Sequence, residues 1–183
     1  MTTFTIEHRH TGAVLFECPD PSPGAPMSVR DQDRYVIRRA IAAKTDLSEA
    51  VLACFCLAGV DLSGLDLSGA NLCQATLCGA NLSGATLPPG VPIIPDIDKA
   101  ILAAIDAGGT LEMGDWHKCD TTHCRAGWAV HLAGNPGYDL ERQLGTCAAG
   151  ALIYAASRPD MPIPDFYASD EAAMADLRAC ASE

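Results

Sequence analysis

The sequence predicts a short β-solenoid capped at its start and followed by a small α-helical domain, and three observations carry that reading. Leucine recurs at positions 47, 52, 57, 62, 67, 72, 77, 82 and 87, a spacing of five without a slip. Two residues before each leucine stands a second, mostly small residue: Thr45, Ala50, Phe55, Val60, Leu65, Ala70, Ala75, Ala80 and Ala85. From about residue 96 onward the apolar residues return at helical spacing instead.

At the N-terminus, Phe4–His8 and Ala13–Glu17 flank His10-Thr11-Gly12, the composition of a hairpin with glycine at its turn. The run Asp20-Pro21-Ser22-Pro23-Gly24-Ala25-Pro26 reads as a loop. Ser28 then stands as the N-cap of a helix reaching Lys44, with Val29, Val36, Ile37, Ala40 and Ile41 as its apolar stripe. This helix runs into the first repeat and is expected to seal the open end of the solenoid. Arg30, Arg34, Arg38 and Arg39 give it a basic face, read as a solvated surface or, alternatively, an anion or partner site.

A period of five fits neither the 3.6 of a helix nor the 2 of a strand. Apolar pairs that return every five residues need a bend in each unit, which is the signature of a solenoid. Each unit contacts only its neighbours, and an open end exposes unpaired backbone, so both ends of so short a stack need covers. Phe55, Val60 and Leu65 are bulkier than the alanines that follow and are expected to fill the N-terminal end. Cys73 and Cys78 directly follow leucines and are expected to face outward as surface thiols.

The pattern, seen in Val60-Asp61-Leu62, Ala70-Asn71-Leu72 and Ala80-Asn81-Leu82, resembles the pentapeptide-repeat family. The resemblance implies a right-handed quadrilateral β-helix, one pentapeptide per side and four per coil, with each leucine and the residue two before it pointing inward. Nine repeats then give a little over two coils, about 10 Å tall at the ~4.8 Å spacing of paired strands.

Pro88-Pro89-Gly90-Val91-Pro92 ends the repeat. Asp96 caps a helix over 97–107, which Gly108-Gly109 stops. A second helix is expected from about Thr122 to Ala133, ending at Gly134-Asn135-Pro136, then a short amphipathic one over 138–144. Residues 147–157 are nearly all small and apolar, hence a buried helix, and Ser169 or Asp170 opens the last one. The expected organisation is therefore 1–44, 45–87 and 88–183.

The chain of 183 residues carries a net charge of −11, divided as +1 over 1–44, −4 over 45–87 and −8 over 88–183. Such a surface repels phosphate backbones, so no direct nucleic-acid binding is expected; a basic protein partner is. No apolar run approaches the ~20 residues of a membrane span. The first residues lack the apolar stretch of a signal peptide, and the expectation is a soluble cytoplasmic protein. Nine cysteines, odd in number and scattered, read as free thiols standing in for Ala or Ser.

The densest chemistry lies in Trp116-His117-Lys118-Cys119-Asp120-Thr121-Thr122-His123-Cys124-Arg125-Ala126-Gly127-Trp128, with His131 a turn later. It admits four readings. In a packing motif, Thr121 or Thr122 caps a helix, Cys124, Trp128 and His131 face the core, and Gly127 permits close helix packing. Zinc would take Cys119 and Cys124 with His117 and His123, or His131. The two cysteines could form a disulfide, or a Cys–His pair could act as a nucleophile. The stretch Cys119-x-Thr121-x-x-Cys124-x-Ala126-Gly127-Trp128 resembles a C-G-T-x-x-C-x-A-G-W segment of small bacterial and phage-associated domains, with Asp120 in place of the glycine.

No phosphate loop, persuasive nucleophile or carboxylate pair is evident. The expectation is a non-enzymatic, cofactor-free protein-interaction scaffold of the pentapeptide-repeat type. One version is an acidic, DNA-mimic-like inhibitor of a nucleic-acid-handling enzyme, since some family members imitate DNA and bind topoisomerases such as gyrase. In another the solenoid is a spacer or homodimer face beside a helical binding end. Asp46, Asp61, Asp66, Trp116 and Arg125 are the interaction candidates. The alternative is a zinc-binding or thiol-dependent protein centred on residues 116–131.

Overall fold

The computed structural model describes residues 3–22 and 24–182; Pro23 of the expected loop lies outside them. Strands β1 (Thr3–Glu7) and β2 (Val14–Pro19) pair antiparallel, Phe4 opposite Cys18 and Ile6 opposite Phe16. Alternation sends Ile6 and Cys18 into the core. Helix α1 (Val29–Ala42) starts where its cap predicts, with Ser28 Oγ accepting the Asp31 amide at 3.2 Å. Val36, Ile37 and Ala40 form its buried face, whereas Val29, at the start of the expected stripe, is exposed.

The segment from Leu47 onward coils with a period of twenty residues. Parallel bridges join Val51 to Asn71, Cys56 to Thr76, Asp61 to Asn81 and Asp66 to Thr86, so four five-residue units complete one circuit. Each unit ends in a turn closed by an amide-to-carbonyl bond across three residues. It runs from Ala50 to Leu47 and recurs every fifth residue as far as Ala85 to Leu82, at 3.0–3.3 Å. The third residue of each turn takes positive φ, which is why glycine recurs there. The leucines of the five-residue ladder from Leu47 to Leu82, every fifth residue, are at most 3% exposed. Of the bulky residues expected to fill the first coil, Val60 is buried, while Phe55 and Leu65 are half-buried against the same core.

Both ends are covered by backbone pairing. At the first end the hairpin shares the sealing role expected of α1: the Val51 amide donates to Glu7 at 2.7 Å and the Arg9 amide to Glu49 at 2.8 Å. Helix α1 supplies Asp33, whose carboxylate accepts the Cys56 amide at 3.0 Å. At the other end the Gln74 amide donates to Leu144 at 2.7 Å, and Gly79 and Ala80 exchange two bonds with Ile163 at 3.0 and 2.9 Å. One hydrophobic cluster runs unbroken from Ile6 through the coil leucines to Leu177.

After the coil come α2 (Ile97–Asp106), a small sheet, then α3 (Arg125–Leu132), α4 (Gly134–Leu144), α5 (Thr146–Ser157) and α6 (Asp170–Ala181). The sheet is a finding absent from the sequence reading: β3 (Thr110–Leu111) pairs parallel with β5 (Thr122–His123), and β4 (His117–Cys119) antiparallel with it. The expected helix from Thr122 therefore begins later, at Arg125. Residues 134–136 do not break the chain into a loop; they form the first turn of α4, where a proline lacks no bond that the helix would have made. Asp96 occupies the N-cap of α2 without a side-chain cap bond. Helix α5 is buried from Ala148 to Ala155, as its composition predicts, and Gly150 lets it meet α3 so closely that a Cβ there would lie 2.8 Å from the Ala126 Cα. Gly127 instead faces β4: a Cβ would lie 2.1 Å from the Trp116 carbonyl oxygen. Among the described residues no helix is long and apolar enough to cross a membrane.

Candidate functional site

Asp46, Asp61 and Asp66 each stand just before an inward leucine, and all three are exposed. Each uses Oδ1 to accept the amide two residues on: Ser48 at 2.9 Å, Ser63 at 3.1 Å and Ser68 at 2.8 Å. Hydrogen bonds from Ser63 and Ser68 hold the Asp61 and Asp66 carboxyls below the usual range. Asn81, one coil on, donates to Asp61 at 3.1 Å. These carboxylates are thus fixed in place, each with its second oxygen free of these turn bonds. The sides bearing Val51 with Asn71, and Cys56 with Thr76, are half-buried. Cys78, expected on the surface, is buried because α5 packs over that side, bringing the Cys147 sulfur to 3.8 Å.

The residues from 116 to 131 divide into separate environments. His117 Nε2 lies 2.8 Å from Glu141 Oε1 and its Nδ1 lies 2.7 Å from His123 Nδ1. A carboxylate only accepts, so His117 donates from Nε2; a neutral His117 then accepts at Nδ1 from His123. This leaves His123 Nε2 buried without a partner. His123 stacks on His131 at 4.7 Å, and His131 Nδ1 lies 2.7 Å from the Tyr138 hydroxyl. Burial keeps the His123 ring below the usual histidine range.

The two thiols of the cluster face opposite surroundings. Cys119 is exposed, with Thr121 Oγ1 at 3.4 Å, and hydrogen bonds from Thr121 and Thr122 lower it to about 7. Cys124 is buried and takes the capping role expected of Thr121 or Thr122: its sulfur accepts the Gly127 amide at 3.2 Å, and burial raises it to about 11. No disulfide joins them; all nine cysteines are free. The donors weighed for zinc, Cys119, Cys124, His117 and His123, are not gathered around one point: among the described residues no three His, Cys, Asp or Glu are placed to hold a metal ion. The ring nitrogens of His117, His123 and His131 make their hydrogen bonds to carboxylate, imidazole and phenol, and none to a thiol, among the described residues.

Arg125, expected at an interaction surface, is the largest fully buried side chain. A buried guanidinium needs paired charges, and it donates to Asp98 at 2.8 Å, to Tyr154 at 2.9 Å and to Asp176. Arg158 donates to the other oxygen of Asp98 at 2.8 Å. Sequence reasoning missed this network because its members, at 98, 125, 154, 158 and 176, share no spacing. Trp116 is 38% exposed and meets Tyr167, 63% exposed, edge-on at 6.0 Å. Tyr167 is a surface aromatic that no sequence signal marks.

Comparison with known families matches residues 56–88 to pentapeptide repeats, in eight copies. This segment is built of pentapeptide repeats. No curated protein and no solved structure matches the chain. The pentapeptide coil extends ahead of the matched residues: Glu49 donates to Ser68 at 2.9 Å and Leu52 to Asn71 at 2.9 Å, as later repeats do. Two of the three turns whose positive-φ residue is not glycine, at Glu49 and Cys54, lie in that unmatched stretch.

Proposed function

We propose that the chain is a non-enzymatic protein-interaction scaffold in three parts. Residues 45–87 form a right-handed quadrilateral β-helix, closed at its ends by 1–44 and 88–183, which offers its uncovered sides to a basic protein partner. The observation that carries this reading is the fixing of Asp46, Asp61 and Asp66 by turn bonds while all three stay exposed. Rigid carboxylates lose little conformational freedom when a cationic side chain docks. The coil itself carries four acids and no base, and exposed carboxylates of one sign suit a cationic partner.

The test is quantified capture by the full chain, wild type against Asp61→Lys/Asp66→Lys, with melting curves showing that both fold. Loss of a partner's capture on charge reversal supports the reading; equal capture overturns it. Trp116→Ala serves as contrast, since loss there alone would move the binding face to the Trp116–Tyr167 pair. A finer version, an acidic imitation of nucleic acid that inhibits a nucleic-acid-handling enzyme, rests on the same aspartates and requires that DNA compete for the captured partner.

A further inference from the structure

Nine thiols are scattered through the chain, yet one pair is brought together by the fold from 69 residues apart: Cys78 on the coil and Cys147 at the start of α5, sulfur to sulfur 3.8 Å. No other two thiols stand in hydrogen-bond contact among the described residues. We propose that Cys78 and Cys147 are a modification site that a hydroperoxide converts to a reversible disulfide, tying the coil to the helical region.

Three features support it. Cys147 is the second residue of α5, where the helix N-terminus favours a thiolate. The two thiols are in hydrogen-bond contact, and each shifts the other, the Cys147 thiol downward and the Cys78 thiol upward. Cys147 is only half-buried, and Tyr167, which interacts with its thiol, also walls a cleft of about 200 Å³ with Thr76, Cys56, Ala58 and Arg30. Closing from 3.8 Å to the ~2.0 Å of a disulfide asks for a small rotation at the first turn of α5.

The chemistry balances in two steps. With hydrogen peroxide as the oxidant, the Cys147 thiolate attacks one oxygen; an S–O bond forms, the O–O bond breaks, and the leaving hydroxide takes a proton to depart as water. Cys78 then attacks the sulfenic sulfur; the S–S bond forms, the S–O bond breaks, and a second water leaves with the remaining thiol proton. The two sulfurs together give two electrons to the peroxide. A thiol reductant reverses the bond by exchange.

The experiment uses the full chain with Cys119→Ser, which removes the exposed low-pKa thiol, treated with a few equivalents of hydrogen peroxide. Two thiols are expected to disappear, a peptide linked through Cys78 and Cys147 to appear by mass spectrometry, and the melting temperature to rise by several degrees, all reversed by dithiothreitol. Cys147→Ala should abolish the linked peptide and the rise, and Cys78→Ala should do the same if Cys147→Ala fails to fold. Thiols lost with no Cys78–Cys147 peptide, no loss of thiols, or an equal rise in a variant lacking either cysteine would each overturn the proposal.

Discussion

Glu49 lays its carboxylate over Gly69, one circuit along the coil, where an added Cβ would meet the carboxylate oxygen at 2.2 Å. Gly69 also carries φ of +69°. The pair shows how one turn constrains the next: the first coil's third turn residue occupies the space that the second coil's lack of a side chain leaves open.

Gly69→Ala should therefore cost about 1–2 kcal/mol for the left-handed backbone, plus whatever it takes to move Glu49 aside. In a Glu49→Ala background the second part should vanish while the first remains. Denaturant melts of the three chains give the comparison. Equal costs with and without Glu49 would show that its carboxylate moves freely.

Cys54 holds φ of +61° in an exposed turn, where glycine stands at five of the eight equivalent positions. Cys54→Gly should relieve that backbone and raise stability by up to about 1 kcal/mol, against the entropy that glycine adds to the unfolded chain. A fall in the urea midpoint would mean that the Cys54 side chain has a role its exposure hides.

Arg125 makes three side-chain bonds inside the helical region, and Asp98 depends on it and on Arg158. Arg125→Ala should destabilise by about 3–5 kcal/mol, because it breaks a buried ion pair, leaving Asp98 with Arg158 as its one cationic partner, and empties the space of a fully buried side chain. Asp98→Asn, which keeps the shape, should cost less. Thermal unfolding ranks the two, and equal costs would show that packing rather than charge dominates.

Cys119, lowered to about 7 by Thr121 and Thr122, should react with iodoacetamide along a pH profile with its midpoint near that value. An ordinary exposed thiol has its midpoint near ~8.5. Thr121→Val removes the largest cause and should move the midpoint upward. The rate of alkylation at Cys119, followed by mass spectrometry from acid to alkaline pH, reads this directly.

His123 is held below the usual range chiefly by burial, with His131 and His117 adding to it. Between that depressed value and the ~6.5 of an unfolded histidine, the unfolded chain binds more protons than the folded one. Its contribution to stability is full above ~6.5 and is lost as pH falls toward the folded value. Melting temperature should decline on acidification through that window, and His123→Leu should flatten the decline.

The coil was legible because its information is periodic: Leu47 through Leu87 repeat one local choice nine times, and each unit needs only its neighbours. Ser28 was legible as a cap, and Ser169 as one of two candidates beside Asp170, because a cap is set within three residues. The small sheet was not, since β3, β4 and β5 are two or three residues long and pair only because the chain between Thr110 and His123 folds back on itself. Burial of Arg125 and Cys78 was equally hidden. Arg125 meets Asp176 from 51 residues away and Cys78 meets Cys147 from 69, and no local pattern encodes such a meeting. Trp116 and the aspartates stand exposed, as their residue types suggest, but Tyr167 carried no signal because only the fold brings it to Trp116.

The twenty-residue circuit has a consequence for how this chain tolerates change in length. Val51 faces Asn71, and Asp66 faces Thr86, because four units return the backbone to the same side. Adding a single unit after Gly84 would preserve every inward leucine yet carry residue 88 and all that follows a quarter of the way round the coil, pulling Leu144 and Ile163 away from Gln74 and Gly79. Adding four units would lengthen the coil and return the helical region to its original angle. The coil thus works as an indexing screw, in which length is free in steps of one circuit and orientation is not.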